Sequence, residues 1–166
     1  MDTKWVVVGI GNPLLQDDRA GVIVVEQLEQ EGLPCRTEVI HSVGFEVLDR
    51  IRGYERAIIV DACVLGSEPG RIVEARVDDI FFPHASGSGH GLTLGTTLKV
   101  GLLCCPDMPA DIRLFLIEVG EIKEFNLQVS AEVEVAVVLV KERIRALVEL
   151  VPDRCRSGIP GARRWK

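Results

Sequence analysis

Hydrophobic residues along this chain follow two alternating rhythms. Short apolar runs at 4–9 (KWVVVG) and 56–61 (RAIIVD) have the character of strands buried on both faces. Elsewhere apolar residues recur every three or four positions, the spacing of one helical face. Val22, Val25 and Leu28 mark a first helix. It should begin near Asp17 or Asp18, where acids suit a helix N-terminus, and stop at Gly32-Leu33-Pro34. Segment 36–41 is a second strand. Phe45, Leu48 and Ile51 define a short helix over 45–52, stopped by Gly53. Segment 71–76 is a fourth strand whose arginines need solvent, so it belongs at a sheet edge, and 112–119 is a fifth. Leu94, Leu98 and Leu102 predict a helix over 91–103, against the low propensity of Gly95 and Gly101. Ser130 caps a last helix reaching about Leu150, with Glu132 and Glu134 in its first turn. Its apolar stripe is Val133, Val137, Val140, Ile144, Leu147 and Val151.

Strands alternating with helices predict an α/β fold: a three-layer α/β/α sandwich around a mixed, mostly parallel sheet of about five strands. The first and third strands, apolar throughout, should be central. A chain of 166 residues, 47% hydrophobic, suits one core rather than two. The expected organisation is a single domain over 1–151 followed by a basic tail, 152–166.

Charge narrows the range of partners. The formal net charge is −6, yet the last thirteen residues carry Arg154, Arg156, Arg163, Arg164 and Lys166 and no acid, leaving about −11 on the rest. An acidic body disfavours nucleic acid. No apolar run is long enough for a bilayer and no signal-peptide core follows the N-terminus, so a cytoplasmic, non-membrane, monomeric protein is expected. The five cysteines, Cys35, Cys63, Cys104, Cys105 and Cys155, form no C-x-x-C pair. Reduced, mostly buried thiols are expected.

Open α/β sheets place their sites at the carboxyl ends of strands. Asp17 and Asp18 follow the first strand after one loop, and Asp61 ends the third. His84 and His90 lie in the loop before the next helix. Two carboxylates and an imidazole suit a divalent transition metal and leave coordination positions open. The same acids could instead cap a helix or shape a loop. Gly9-Ile10-Gly11 begins like a dinucleotide fingerprint, but Leu14 stands where the third glycine belongs, and His41-Ser42 follow the second strand where an acid is needed. Cys63, two residues past Asp61, is a structural thiol or, with a histidine, a nucleophile. Gly11-Asn12-Pro13 shapes the mouth of the site through its backbone.

These residues carry a resemblance. V-G-I-G-N-P-L-L-Q-D-D-R-A-G (8–21) resembles the opening signature of the hydrogenase maturation proteases. The similarity continues at Ile59-Val60-Asp61-Ala62, at Ser88-Gly89-His90-Gly91-Leu92, and at 126–133 (NLQVSAEV), in the same order over roughly 4–150. The resemblance implies that Asp18, Asp61 and His90 are the catalytic and metal-binding residues, with His84 the alternative to His90 and Asp17 a cap or supporting group. It implies substrate contacts at Gly11, Asn12 and Gly44. It implies a nickel-dependent endopeptidase that removes a C-terminal peptide from the precursor of a nickel–iron hydrogenase large subunit, the nickel arriving with the precursor. The chain departs from the pattern at Arg19, where a glycine is common, and at His41-Ser42-Val43, which replaces a glycine-rich stretch. Two alternatives stand beside it. G-I-G-N-P also resembles peptidyl-tRNA hydrolases, but Asp17-Asp18-Arg19-Ala20 occupies the place of their T-R-H-N segment. A non-catalytic binding or sensor module for a metalloprotein precursor would use the same pocket.

Overall fold

A strand without polar residues has no face to offer water, and in the computed structural model such strands lie inside the sheet. The structure describes residues 4–77, 93–120 and 128–150. Five strands, β1 (Trp5–Ile10), β2 (Arg36–Ile40), β3 (Arg56–Cys63), β4 (Ile72–Arg76) and β5 (Asp111–Glu118), stand in the order β2-β1-β3-β5-β4. β1, β2, β3 and β5 are mutually parallel, and β4 runs antiparallel along β5 at the edge, as its arginines required. Four helices, α1 (Ala20–Gln30), α2 (Glu46–Ile51), α3 (Leu94–Cys104) and α4 (Ala131–Leu150), cover the sheet. A 3-10 turn, Gln16–Arg19, leads into α1.

The two-residue alternation of the strands sorts their side chains into two cores. Trp5 and Val7 of β1, Ile58 and Val60 of β3, and Phe115 and Ile117 of β5 pack against α1 and α4. Val6, Val8 and Ile10, Ala57 and Ile59, and Ile112 and Leu114 pack on the other face against α2 and α3. This is the expected three-layer sandwich. Glu31, just past α1, adds ion pairs to Lys141 (2.8 Å) and Arg145 of α4. Among the described residues no helix is long and apolar enough to cross a membrane.

The strand order fixes where a site can form. From β1 the chain passes through α1 to β2 on one side, then returns through α2 to β3 on the other. Connections leave β1 and β3 in opposite directions, and a crevice opens at their carboxyl ends. α1 is drawn tightly against this pair of strands by two glycines. A Cβ on Gly9 would lie 2.3 Å from the Gly21 carbonyl oxygen. One on Gly21 would lie 2.4 Å from the Val60 oxygen and 2.5 Å from that of Ile10.

Two local expectations are corrected. Leu102 is exposed, because a four-residue repeat advances 40° per step around a helix and carries the third leucine off the buried face. That face is Gly95, Thr97, Leu98 and Gly101. Gly101 is tolerated in α3 because a Cβ there would sit 2.6 Å from Leu48 Cδ2 of α2 and 2.9 Å from Met108 Cε. The thiols are free as expected but not mostly buried. Cys104 is exposed, and Cys35, Cys63 and Cys105 are partly so, because they lie at the ends of elements rather than within them. Val151, Cys155 and the basic tail lie outside the described residues.

Gly21→Ala should lower stability by about 2–3 kcal/mol in urea unfolding, since two backbone carbonyls must move to admit a methyl group. Gly44→Ala, with nothing within 4 Å of the added carbon, should change it by less than about 0.5 kcal/mol. Equal losses in the two variants would contradict the tight α1 contact.

Candidate active site at the β1/β3 crevice

The loop after β1 is built to return a carboxylate to the strand ends. Gly11 has φ +154, and a Cβ there would lie 2.0 Å from the Asp18 carbonyl oxygen, so the loop closes directly over the 3-10 turn. The Gly11 N–H donates to the Ile40 carbonyl of β2 at 3.1 Å. The Asn12 side-chain oxygen accepts the Leu14 N–H at 2.9 Å, a turn typical of asparagine. The Asn12 backbone N–H donates to Asp18 Oδ2 at 2.7 Å, a short charge-assisted bond. The glycine–asparagine pair thus positions Asp18.

Asp61 arrives from β3. It shares the alternation of Ala57 and Ile59 and emerges on the α2/α3 face at the strand end. Burial pushes its carboxyl up to about 7, the Asp18 carboxylate beside it adds to the rise, and the Ala62 N–H opposes it. The charge of Asp18 is felt at Asp61, so the two expected acids lie near one another at this end of the sheet. Two carboxylates held near one another favour a proton on Asp61 or a cation beside them.

Asp17 points elsewhere. It is buried, and its two oxygens accept from one residue: the Ser130 N–H at 2.6 Å and the Ser130 hydroxyl at 2.9 Å. Ser130 precedes α4, as expected of a capping residue, but its hydroxyl donates to Asp17. The tandem acids therefore diverge, Asp18 towards β3 and Asp17 towards the start of α4.

His90 and His84 lie outside the described residues, and among the described residues no group of three His, Cys, Asp or Glu side chains is placed to hold a metal ion. His41 follows β2 at the same end of the sheet, with Nδ1 3.4 Å from the Gly11 carbonyl oxygen. Its place at a strand end was the signal for it in the sequence. Gly44 lies two residues before α2, again at this end.

One buried acid was missed. Glu118, at the end of β5, accepts the N–H groups of Leu65 and Gly66 at 2.8 Å and of Ser67 at 3.1 Å, organising the turn after β3. The Cys63 thiol donates to its other oxygen at 3.7 Å. Burial, then the charges of Glu118 and Asp61, push Cys63 up to about 12. A thiol so reluctant to ionise has a structural role rather than that of a nucleophile.

The raised Asp61 carboxyl has a consequence for stability. The folded state binds the proton more tightly than the unfolded chain, so stability is fully present below the unfolded value, near 3.8, and falls as pH rises through about 7. Asp61→Asn has no such loss. In chelated buffer it should exceed the wild type at pH 8 by on the order of 1–3 kcal/mol, and the difference should shrink towards pH 4. A pH-independent difference in urea unfolding would contradict this environment for Asp61.

Comparison with known proteins agrees with this geometry. The sequence profile of the hydrogenase maturation proteases matches residues 22–147. A Methanocaldococcus jannaschii protein that carries the hydrogenase maturation protease name provisionally is 35% identical over 98 residues. That match spans 56% of this chain and 64% of the curated relative's own length. The hydrogenase maturating endopeptidase HybD from Escherichia coli superposes with a TM-score of 0.65 at 26% identity, covering 88% of this chain and 92% of HybD. The hydrogenase maturation protease HycI from Thermococcus kodakarensis shares the fold at a TM-score of 0.70 and 24% identity, covering 89% and 93%. With a profile match over most of its length and the paired acids in the β1/β3 crevice, the chain belongs to the hydrogenase maturation protease family.

Proposed function

We propose that this protein is an endopeptidase that removes a C-terminal peptide from the nickel-loaded precursor of a nickel–iron hydrogenase large subunit. The observation that carries the reading is the convergence of Asp18 and Asp61 at the carboxyl ends of β1 and β3, where burial and mutual repulsion raise the Asp61 carboxyl to about 7. Family membership removes the peptidyl-tRNA hydrolase alternative.

In this reading Asp18 and Asp61 hold the metal of the precursor, with His90 as the third donor. The donor chemistry fits: two repelling carboxylates gain from a divalent cation, and an imidazole favours nickel over calcium or magnesium. The cation supplies a Lewis acid at the scissile carbonyl. The protein's own groups do the rest. Asp18, tied to the Asn12 N–H, keeps one oxygen fixed and offers the other. Asp61, raised to about 7, would take up a proton from an attacking water. Gly11, Asn12 and Gly44 line the approach for an extended peptide. Exposed apolar side chains on the loops after β1, β2 and β3, namely Leu14, Phe45, Val64 and Leu65, suit a protein substrate.

Incubation with the nickel-loaded precursor, followed by intact-mass measurement, should show loss of a C-terminal peptide from the precursor. Asp18→Asn and Asp61→Asn should each cut that rate by more than about 10²-fold while remaining folded by circular dichroism. An intact precursor after incubation with the wild-type protein, across cognate candidates, would sink the proposal.

A further inference from the structure

We infer that Asp17 and Ser130 are positioning residues, a latch between the 3-10 turn and the start of α4 that holds Asp18 facing Asp61. The inference rests on the reading of Asp18 as the acting carboxylate.

The 3-10 turn that carries Asp18 is four residues long, and such turns hold themselves weakly. Towards β1 it is secured by the Leu15 N–H to the Asn12 carbonyl at 3.1 Å, the Arg19 N–H to the Leu15 carbonyl at 3.3 Å, and the Asn12 N–H to Asp18. All of these lie within the loop and the turn. One anchor to a distant element is Asp17, bound to a residue 113 positions away. Consecutive side chains in a 3-10 turn point about a third of a turn apart. Fixing Asp17 towards α4 therefore fixes the direction in which Asp18 points.

The latch is strong for physical reasons. A buried carboxylate needs full satisfaction, and Asp17 receives one donor on each oxygen, at 2.6 and 2.9 Å. It also stands at the N-terminus of a 20-residue helix, where the peptide dipoles favour a negative charge. Those two bonds keep Asp17 turned away from Asp61 and towards the start of α4. α4 does not need the latch for its own place, since Val133, Ala136, Val137, Val140, Ile144 and Val148 bury its inner face. The turn does need it.

The test reads the Asn12 amide by native-state hydrogen exchange on the full chain, because that N–H is bonded to Asp18 itself. Ser130→Ala removes one donor, and Asp17→Asn removes the charge and one acceptor. In both, Asn12 protection should fall about tenfold while Val7, Val8 and Ile58 keep theirs. The kcat for precursor cleavage should fall about tenfold with KM within twofold. Ser130→Thr, which keeps the hydroxyl, should restore both readouts. Unchanged Asn12 protection overturns the latch. So does parallel loss at the core amides, which would mark a general structural tie, and so does normal kcat despite lost protection. If the wild-type protein cleaves no precursor, the proposed function fails, and Asn12 protection still decides whether Asp17 and Ser130 hold Asp18.

Discussion

Asp18 and Asp61, two carboxylates near one another at the strand ends, repel, and the surrounding structure leaves that repulsion little room to relax. Asp61 stands at the end of a strand flanked by β1 and β5 and cannot retreat without breaking the sheet register. Asp18 is tethered by the Asn12 N–H on a loop that closes within contact distance of its own backbone. Relief comes chemically, through a proton on Asp61 or a cation between the two. The site thus stores a cost in the folded state that a core of this size tolerates.

The layers around the crevice serve that rigidity. Gly9 and Gly21 bring α1 into close backbone contact with β1 and β3. Glu118 does the same for the far wall, drawing three backbone N–H groups of the turn after β3 onto one buried carboxylate. Asp17 closes the third side against α4. Asp17 and Glu118 work by accepting from backbone or hydroxyl donors, whereas burial, and then the charge of Asp18, raises the proton affinity of Asp61.

Much of the fold was legible because burial on both faces leaves a clear mark: β1 is apolar throughout and β3 from Ala57 to Val60, and β4 ends in the exposed Arg76 of an edge. The acid pair was legible because strand ends are where α/β sheets place chemistry, and the resemblance separated Asp18 from Asp17. What stayed hidden depends on contacts remote in sequence. Nothing near Ser130 announces that its hydroxyl turns to a residue 113 positions earlier. Glu118 reads as the polar end of a strand, and its three donors lie more than fifty residues away. Gly101 counted against a helix in the sequence because its reason, the close approach of Leu48 and Met108, is a tertiary one. His90 and His84 lie outside the described residues, so the assignment between them still rests on the resemblance.

The chemistry of the acid pair also bears on where a metal would come from in the proposed reaction. A closed structural site binds its ion with four protein donors, while two carboxylates and one imidazole leave coordination positions open. At neutral pH the cation must displace a proton from Asp61, which weakens the hold on a free ion. A nickel ion already fixed in a precursor brings its own remaining ligands and is presented with the scissile segment beside it, so the protein need only complete the shell. The same weakness gives selectivity: an incomplete donor set in a proton-bearing crevice engages firmly only when metal and peptide arrive together. In the proposed reading, the repulsion between Asp18 and Asp61 is what makes cleavage conditional on a loaded precursor.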